Sequence, residues 1–260
     1  MSESTPAPAR PAATVLLLRD SASGPEVFMV VRHRQIEFAA GALVFPGGRV
    51  EAADAEIAAG LGATDPFAAF RVAAIREAFE ESGLLLARTA SGVPLTPDQG
   101  AAVAAAHRDA LNAGSRGFAA LLQAEALVPD IGALVRFAHW VTPDDLAKRF
   151  DTHFFLAPAP GGHAATHDGH EAVDSVWISP EAALAEAAAG TRTLLFPTRM
   201  NLGRLVGATS LTMALETAAA QPVVTVQPRL ETDATGTRLL RIPVEAGYGG
   251  PLFPVGQRAM

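Results

Sequence analysis

Arg76-Glu77-Ala78-Phe79-Glu80-Glu81-Ser82-Gly83-Leu84, with Phe45-Pro46-Gly47-Gly48 upstream of it, is the stretch on which the reading of this chain turns. Set in a helix from Val72 to Leu86, Glu77 lies three residues before Glu80 and four before Glu81, so the three carboxylates share one face. An acidic face is commonly only a solvated one, yet carboxylates at these intervals repel one another unless a cation stands among them. Val72, Ile75 and Phe79 recur at core spacing, which makes the helix a rigid base holding the carboxylates in fixed relation.

Outside this stretch, composition narrows the chemistry. The chain has 260 residues, enough to bury a core as one large domain or two small ones. A net charge of −7 offers no basic footprint for nucleic acid or an anionic membrane, but it is compatible with an acidic substrate held through metal. The absence of cysteine excludes disulfides, a thiolate nucleophile and a cysteine-based zinc site. Residues 1–13 are rich in Pro, Ala and Ser, lack the apolar run of a signal peptide, and are expected to be a disordered lead-in. No apolar run approaches membrane-spanning length, and a soluble, cytoplasmic protein is the expectation.

Upstream, Thr14 to Arg19 and Glu26 to Arg32 are apolar, β-branched runs around Asp20-Ser21-Ala22-Ser23-Gly24-Pro25, and they predict a hairpin. Leu43-Val44-Phe45 predicts a short third strand, stopped by Pro46, with Gly47-Gly48 turning the backbone. The Ala-rich segment 51–69 reads as a surface excursion. Downstream, helices are expected over Gln99 to Ala113, with Asp98 as N-cap, and over Phe118 to Ala126. Strands are expected at Leu134 to Val141, Thr152 to Ala157 and Ala172 to Ile178. Ser179-Pro180-Glu181 opens a helix, and Pro197-Thr198 opens one long helix over Arg199 to Ala219. Val223 to Pro228 and Thr237 to Pro243 are expected to form a terminal hairpin around Asp233-Ala234-Thr235-Gly236, and a surface tail from Glu245 completes the pattern. Interleaved strands and helices without a linker predict a single α/β domain over 14–244, with insertions at about 55–69 and 94–130.

These residues resemble the Nudix hydrolases, whose box is Gly-x5-Glu-x7-Arg-Glu-apolar-x-Glu-Glu-x-Gly-apolar. Its second half is complete from Arg76 to Leu84, and Gly48 stands at its first glycine. Asp54 falls six residues after Gly48, where the pattern has Glu. Residues 55–75, 21 in all, replace seven, an insertion of 14. Such a split box is similar to the branch that includes peroxisomal coenzyme A diphosphatases. That likeness extends to His139-Trp140-Val141-Thr142-Pro143, Phe150-Asp151-Thr152-His153-Phe154-Phe155 and the Trp177-x-x-Pro180 segment. The coenzyme A signature upstream keeps its spacing through Arg32, Gly41 and Phe45, but Glu37 stands where a second Arg belongs. The resemblance implies a Nudix-type α/β/α sandwich with a mixed sheet and helical insertions.

The chemistry follows from the charge on a pyrophosphate, which shields phosphorus from water until cations neutralise it; hard oxygen ligands select Mg²⁺ or Mn²⁺. Glu77, Glu80 and Glu81 are the expected ligands, joined by the Gly47 carbonyl on the family pattern. Arg76 is expected to fork onto a carboxylate, Glu51 or Asp54, and so fix the box loop against the helix. Arg32 and Gly48 are expected to contact substrate. Glu171 is a candidate further ligand or general base, with an ordinary loop glutamate as the alternative. His163, His167 and His170 have ligand-like intervals, but Gly161-Gly162 and Asp168-Gly169 favour a substrate-contacting loop, or no role, over zinc. Trp140 and Trp177 are expected as core or rim residues ahead of base-stacking platforms. Two classes of function stay open: a metal-dependent diphosphatase acting on a nucleoside diphosphate linked to another group, and a non-catalytic nucleotide-binding module. The partner in either case is a small nucleotide-type molecule, and the oligomeric state is open, a homodimer included.

Overall fold

The computed structural model describes residues 7–32, 41–161 and 172–255. Two strands open the chain, β1 (Arg10–Ser21) and β2 (Gly24–Arg32), followed by the short β3 (Leu43–Val44) and β4 (Gly47–Arg49). Next come α1 (Ala52–Gly60), α2 (Ala68–Ser82), β5 (Ala87–Thr89), α3 (Pro97–Asn112), α4 (Phe118–Ala124) and β6 (Leu127–Pro129). The long strands β7 (Val135–Val141), β8 (Phe150–Pro158) and β9 (Ala172–Ile178) lead to α5 (Pro180–Ala188), α6 (Phe196–Gly203) and α7 (Leu211–Ala220). Four short strands finish the chain: β10 (Thr225–Val226), β11 (Arg229–Thr232), β12 (Arg238–Arg241) and β13 (Leu252–Pro254).

An eight-stranded mixed sheet organises these elements in the order β10-β7-β8-β1-β2-β3, with β4 paired to β1 and β9 to β2. β1 is its axis. It runs parallel to β8 along one edge, while its other edge is shared between β4 near Ala13 and β2 near Leu18. Alternation along β1 assigns its side chains to two cores, as the two-residue period of a strand requires. Ala13, Val15 and Leu17 pack with Phe155, Phe79, Ile75 and the α3–α4 segment, whereas Leu16 and Leu18 pack with Leu156, Met29, Phe196 and Leu202. Helices therefore cover both faces, giving an α/β/α sandwich. Fully burying a Phe or Ile such as Phe79 or Ile75 contributes about 1.5–3 kcal/mol each, so α2 is seated firmly.

Several elements depart from sequence expectation, each for a local reason. The first strand begins at Arg10, inside the expected lead-in, because β8 and β4 supply partners to residues 10–14. Gly47 and Gly48 form strand β4 and not a turn. Segment 51–69 is not merely superficial: α1 carries Asp54 into full burial. α2 starts four residues before Val72 and stops at Gly83, whose left-handed φ of 74° closes the helix with its N–H on the Phe79 carbonyl. Thr96, not Asp98, caps α3, through a reciprocal pair with Gln99 ahead of Pro97. The helix expected over 199–219 is two, broken around Gly207 at φ 83° and restarted by Ser210 as N-cap. The expected hairpin partner Val223 to Pro228 goes elsewhere, with Thr225 and Val226 joining the main sheet beside β7; Arg229–Thr232 takes its place against β12, β13 adds a third strand, and the tail is no mere surface strip. Tyr248 is buried, accepting from Trp140 Nε1 at 3.0 Å and donating to Asn201 at 2.8 Å.

Candidate active site

Arg76 is the hub of the site. Its Nε and Nη2 donate to the two oxygens of Asp54, each at 3.0 Å, and Nη2 also donates to the Arg49 carbonyl at 2.8 Å. Both side chains are buried, Asp54 completely. Of the two candidate partners, Asp54 takes the fork. Glu51 contributes its backbone N–H to Asp54 Oδ2 at 2.8 Å, as N-cap of α1. α1 thus brings a carboxylate under the box helix from 22 residues away and ties β4, α1 and α2 into one unit. Burial opposes the Arg76 charge, but the bonds and charges of Asp54, Glu77 and Glu80 outweigh it and hold the guanidinium above its ordinary pKa.

The third nitrogen, Nη1, faces the other way, donating to Glu77 at 2.9 Å and Glu80 at 3.1 Å. One arginine therefore touches both the loop anchor and two of the three box glutamates. Asp54, Glu77 and Glu80 surround it, and Glu81 is buried nearby on the same helix, so carboxylates outnumber the cation. Glu80 reflects its burial. Burial raises its pKa first, with Glu51 and Asp54 adding to the rise, and Arg76 only partly opposes them. A divalent cation among these side chains fits the charge deficit.

The two glycines are required by contact. A Cβ on Gly48 would lie 2.5–2.6 Å from the Glu77 carboxylate, so that carboxylate rests directly on the Gly48 backbone. A Cβ on Gly47 would meet the Ala13 carbonyl and Thr14 Oγ1 at 2.5 Å on the neighbouring strand. Pairing also aims the Gly47 carbonyl. Bonds from Val15 to Pro46 and from Val50 to Pro11 commit the even-numbered residues of this segment to β1. The carbonyls of Gly47 and Arg49 then point off the opposite edge, where Arg76 already meets that of Arg49. This oxygen fits a place in a hard-ligand set with the glutamates.

Arg32 ends β2, half-buried, and its Nε has no hydrogen-bond partner among the described residues. Glu37, Glu171 and the histidines 163, 167 and 170 lie outside the described residues. Trp140 sits in the core, edge-on to Phe196 at 5.7 Å, while Trp177 lies at the rim against Phe28 with the Arg19 guanidinium 4.3 Å above it.

Sequence reading missed a second cluster. His139, Asp151 and His153 are, among the described residues, the one trio whose ligating atoms all lie within 4.8 Å of one another. The box glutamates are not drawn together that way, with Arg76 Nη1 interposed between Glu77 and Glu80. His153 is buried against Phe67 and Phe70. Burial, then the neighbouring His139, lowers its pKa to about 4, against the pull of Asp151, so it is neutral at physiological pH. The signal in the sequence was the placement of His139 and His153 on two predicted strands, with Asp151 just before the second, and the register that joins them is not readable from sequence.

The family profile described as NUDT19 Nudix domain matches residues 62–205. A Nudix hydrolase from Alicyclobacillus acidocaldarius is 32% identical, over 83% of this chain and 99% of that one, with a TM-score of 0.66. Looser likenesses include the Nudix domain of Shewanella oneidensis NrtR, solved with ADP ribose, at 12% identity over 74% of this chain and 82% of that one, with a TM-score of 0.40. A C. elegans Ap4A hydrolase binary complex is 15% identical over 75% and 93%, with a TM-score of 0.39. No helix among the described residues is long and apolar enough to cross a membrane.

Proposed function

This chain belongs to the Nudix hydrolases, pyrophosphohydrolases of nucleoside diphosphate derivatives, and on that premise we propose that it works with Mg²⁺ or Mn²⁺ held by Glu77, Glu80, Glu81 and the Gly47 carbonyl. The observation that carries this reading is Arg76 Nη1 shared between Glu77 and Glu80 beside Gly48, which gathers partly buried carboxylates of one helix face at the box loop. A divalent cation bound there supplies neutralisation of the pyrophosphate oxygens and orientation of water. Oxygen-only donors suit these hard ions.

The side chains have separable tasks. Arg76, through Asp54 and the Arg49 carbonyl, keeps the box loop against α2. Gly48 lets Glu77 approach the strand. Arg32, at the end of β2, is assigned to an anionic group of the substrate, and Glu171 is assigned as further ligand or general base. The substrate class is a nucleoside diphosphate linked to a second group, such as coenzyme A or an acyl-CoA, a dinucleotide or a nucleotide sugar. A panel of coenzyme A, ADP-ribose, dinucleotides and NADH, assayed with Mg²⁺, with Mn²⁺ and with chelator, tests this. We expect metal-dependent release of a nucleoside monophosphate or a phosphopantetheine-type product from at least one member. Absence of turnover across the panel, with nucleotide binding that survives chelation, would support a binding module instead.

The paired glycines offer a sharper check. Gly48→Ala is expected to depress turnover with little loss of thermal stability, because the flexible Glu77 side chain yields to the new Cβ and leaves its working position. Gly47→Ala presses on the main chain of β1, which yields less easily, and is expected to lower the melting temperature. Equal melting losses in the two variants, or full activity in Gly48→Ala, would contradict the packing argument.

A further inference from the structure

A second group of ligating side chains lies on the α2 face of the sheet, near the start of that helix. His139 on β7 pairs directly with His153 on β8, and Asp151 precedes His153 by two residues, so all three project from one face. His139 Nε2 is hydrogen-bonded to Asp151 Oδ1, and His153 Nε2 lies 4.0 Å from that same oxygen. The imidazoles are stacked, with centroids 4.0 Å apart and planes within 4°. Both rings therefore present a nitrogen to one carboxylate.

We propose that His139, Asp151 and His153 form a binding site for a divalent transition metal of the Zn²⁺ type, separate from the carboxylate site on α2. Two imidazole nitrogens and one carboxylate oxygen are a donor set that suits Zn²⁺ and poorly suits Mg²⁺, which prefers oxygen throughout. The surroundings resemble a supporting shell. His139 Nδ1 is 2.9 Å from Thr225 Oγ1 on β10, a contact that fixes the ring and leaves Nε2 directed at Asp151. His153 is held by the Phe67 and Phe70 rings at 5.0 and 4.4 Å. Arg136, the neighbouring cation, is stacked on Phe67 at 3.6 Å.

Bonds of about 2.0–2.1 Å place tetrahedral donors about 3.3 Å apart, so the parallel rings must splay and the trio must tighten on binding. That movement falls on His139 and Asp151, whose side chains are 15% and 37% exposed, and not on the enclosed His153. Three protein donors leave a fourth position for water or another oxygen ligand. The site is also distinct in place. Thr225, His139, His153, Ala13 and Gly48 form one row across five paired strands. With strands about 4.8 Å apart, His153 stands about 10 Å from Gly48, too far to share an ion with Glu77.

The test uses the untagged full-length chain, stripped with chelator and titrated with Zn²⁺ against a chromophoric competitor, and with Co²⁺ followed by visible absorption. A Glu77→Gln, Glu80→Gln background silences the carboxylate site. We expect one Zn²⁺ per chain to persist in that background, with Co²⁺ bands of four-coordinate intensity. His139→Ala and Asp151→Asn should remove this binding, and Thr225→Val should weaken it about 10- to 100-fold. His153→Ala empties a space against two aromatic rings and risks the fold, so the more exposed His139 carries the decision, with circular dichroism confirming that the variant is folded. Zn²⁺ binding that is undiminished in His139→Ala, that disappears with Glu77 and Glu80, or that is absent from the parent chain overturns the proposal.

Discussion

Glu80→Gln is expected to lower kcat/KM by about 100-fold or more on whichever substrate of the panel is turned over, with the melting temperature unchanged or slightly raised. Metal assistance to a charged transition state is worth several kcal/mol, and each 1.36 kcal/mol is a factor of ten. Gln preserves the shape of Glu80 and its place beside Arg76 Nη1, so the loss is one of charge. The stability side has its own sign. Glu80 has a raised pKa in the fold because burial opposes its ionised form more than Arg76 supports it. Its charge is therefore a cost to the metal-free folded state at neutral pH, and a neutral isostere removes that cost. A working site that pays in stability is a common trade-off. Steady-state kinetics, Mn²⁺ titration and a thermal melt together decide the point; unchanged kcat/KM and Mn²⁺ affinity would remove Glu80 from the ligand set.

Asp54→Asn should act in the opposite manner, mainly on stability. It removes one partner from a buried bidentate pair in which the carboxylate is 0% and the arginine 5% exposed. Breaking such a pair from one side costs about 3–5 kcal/mol where the remaining charge is left uncompensated, and the lower end applies here because Arg76 retains Glu77 and Glu80. For a chain of this size that corresponds to a fall in melting temperature of roughly 10 °C. Arg76 keeps the Arg49 carbonyl and, on its other side, Glu77 and Glu80. Drawn more strongly to those glutamates, it competes with a divalent cation, so metal affinity should fall as well. The double variant Asp54→Asn, Arg76→Met separates the effects, because replacing both partners costs less than orphaning one. A melting temperature within about 1 °C of the parent for Asp54→Asn would show that the pair does not hold the loop.

The contrast between these two carboxylates shows what a sequence can and cannot convey. Glu77, Glu80 and Glu81 are legible because a helix imposes its own geometry: intervals of three and four fix a shared face before any other element is known. The strands are legible for the same kind of reason, since the two-residue period of β1 separates residues of one core from those of the other. Asp54 was only one of two candidates for Arg76, because its approach depends on α1 folding back across an insertion. Gly47-Gly48 was misread as a turn, since glycine permits many backbones and only the nearness of β1 and Glu77 shows why no side chain fits. The capping pair Thr96 and Gln99 stands in capping-box order in the sequence itself, and its priority over Asp98 rests on the position of Pro97 at the first helical residue.

What the sequence determined by itself is the shared face of Glu77, Glu80 and Glu81 and the motif residues that carry the resemblance to the Nudix hydrolases, through short-range spacings that a helix or strand turns directly into geometry. Tertiary structure alone decided which carboxylate Arg76 grips, why both glycines are needed, that Tyr248 returns into the core, and that His139, Asp151 and His153 meet. Each of these depends on strand register or on closure of a long loop, and the free energy that selects them comes from contacts between residues far apart in the chain.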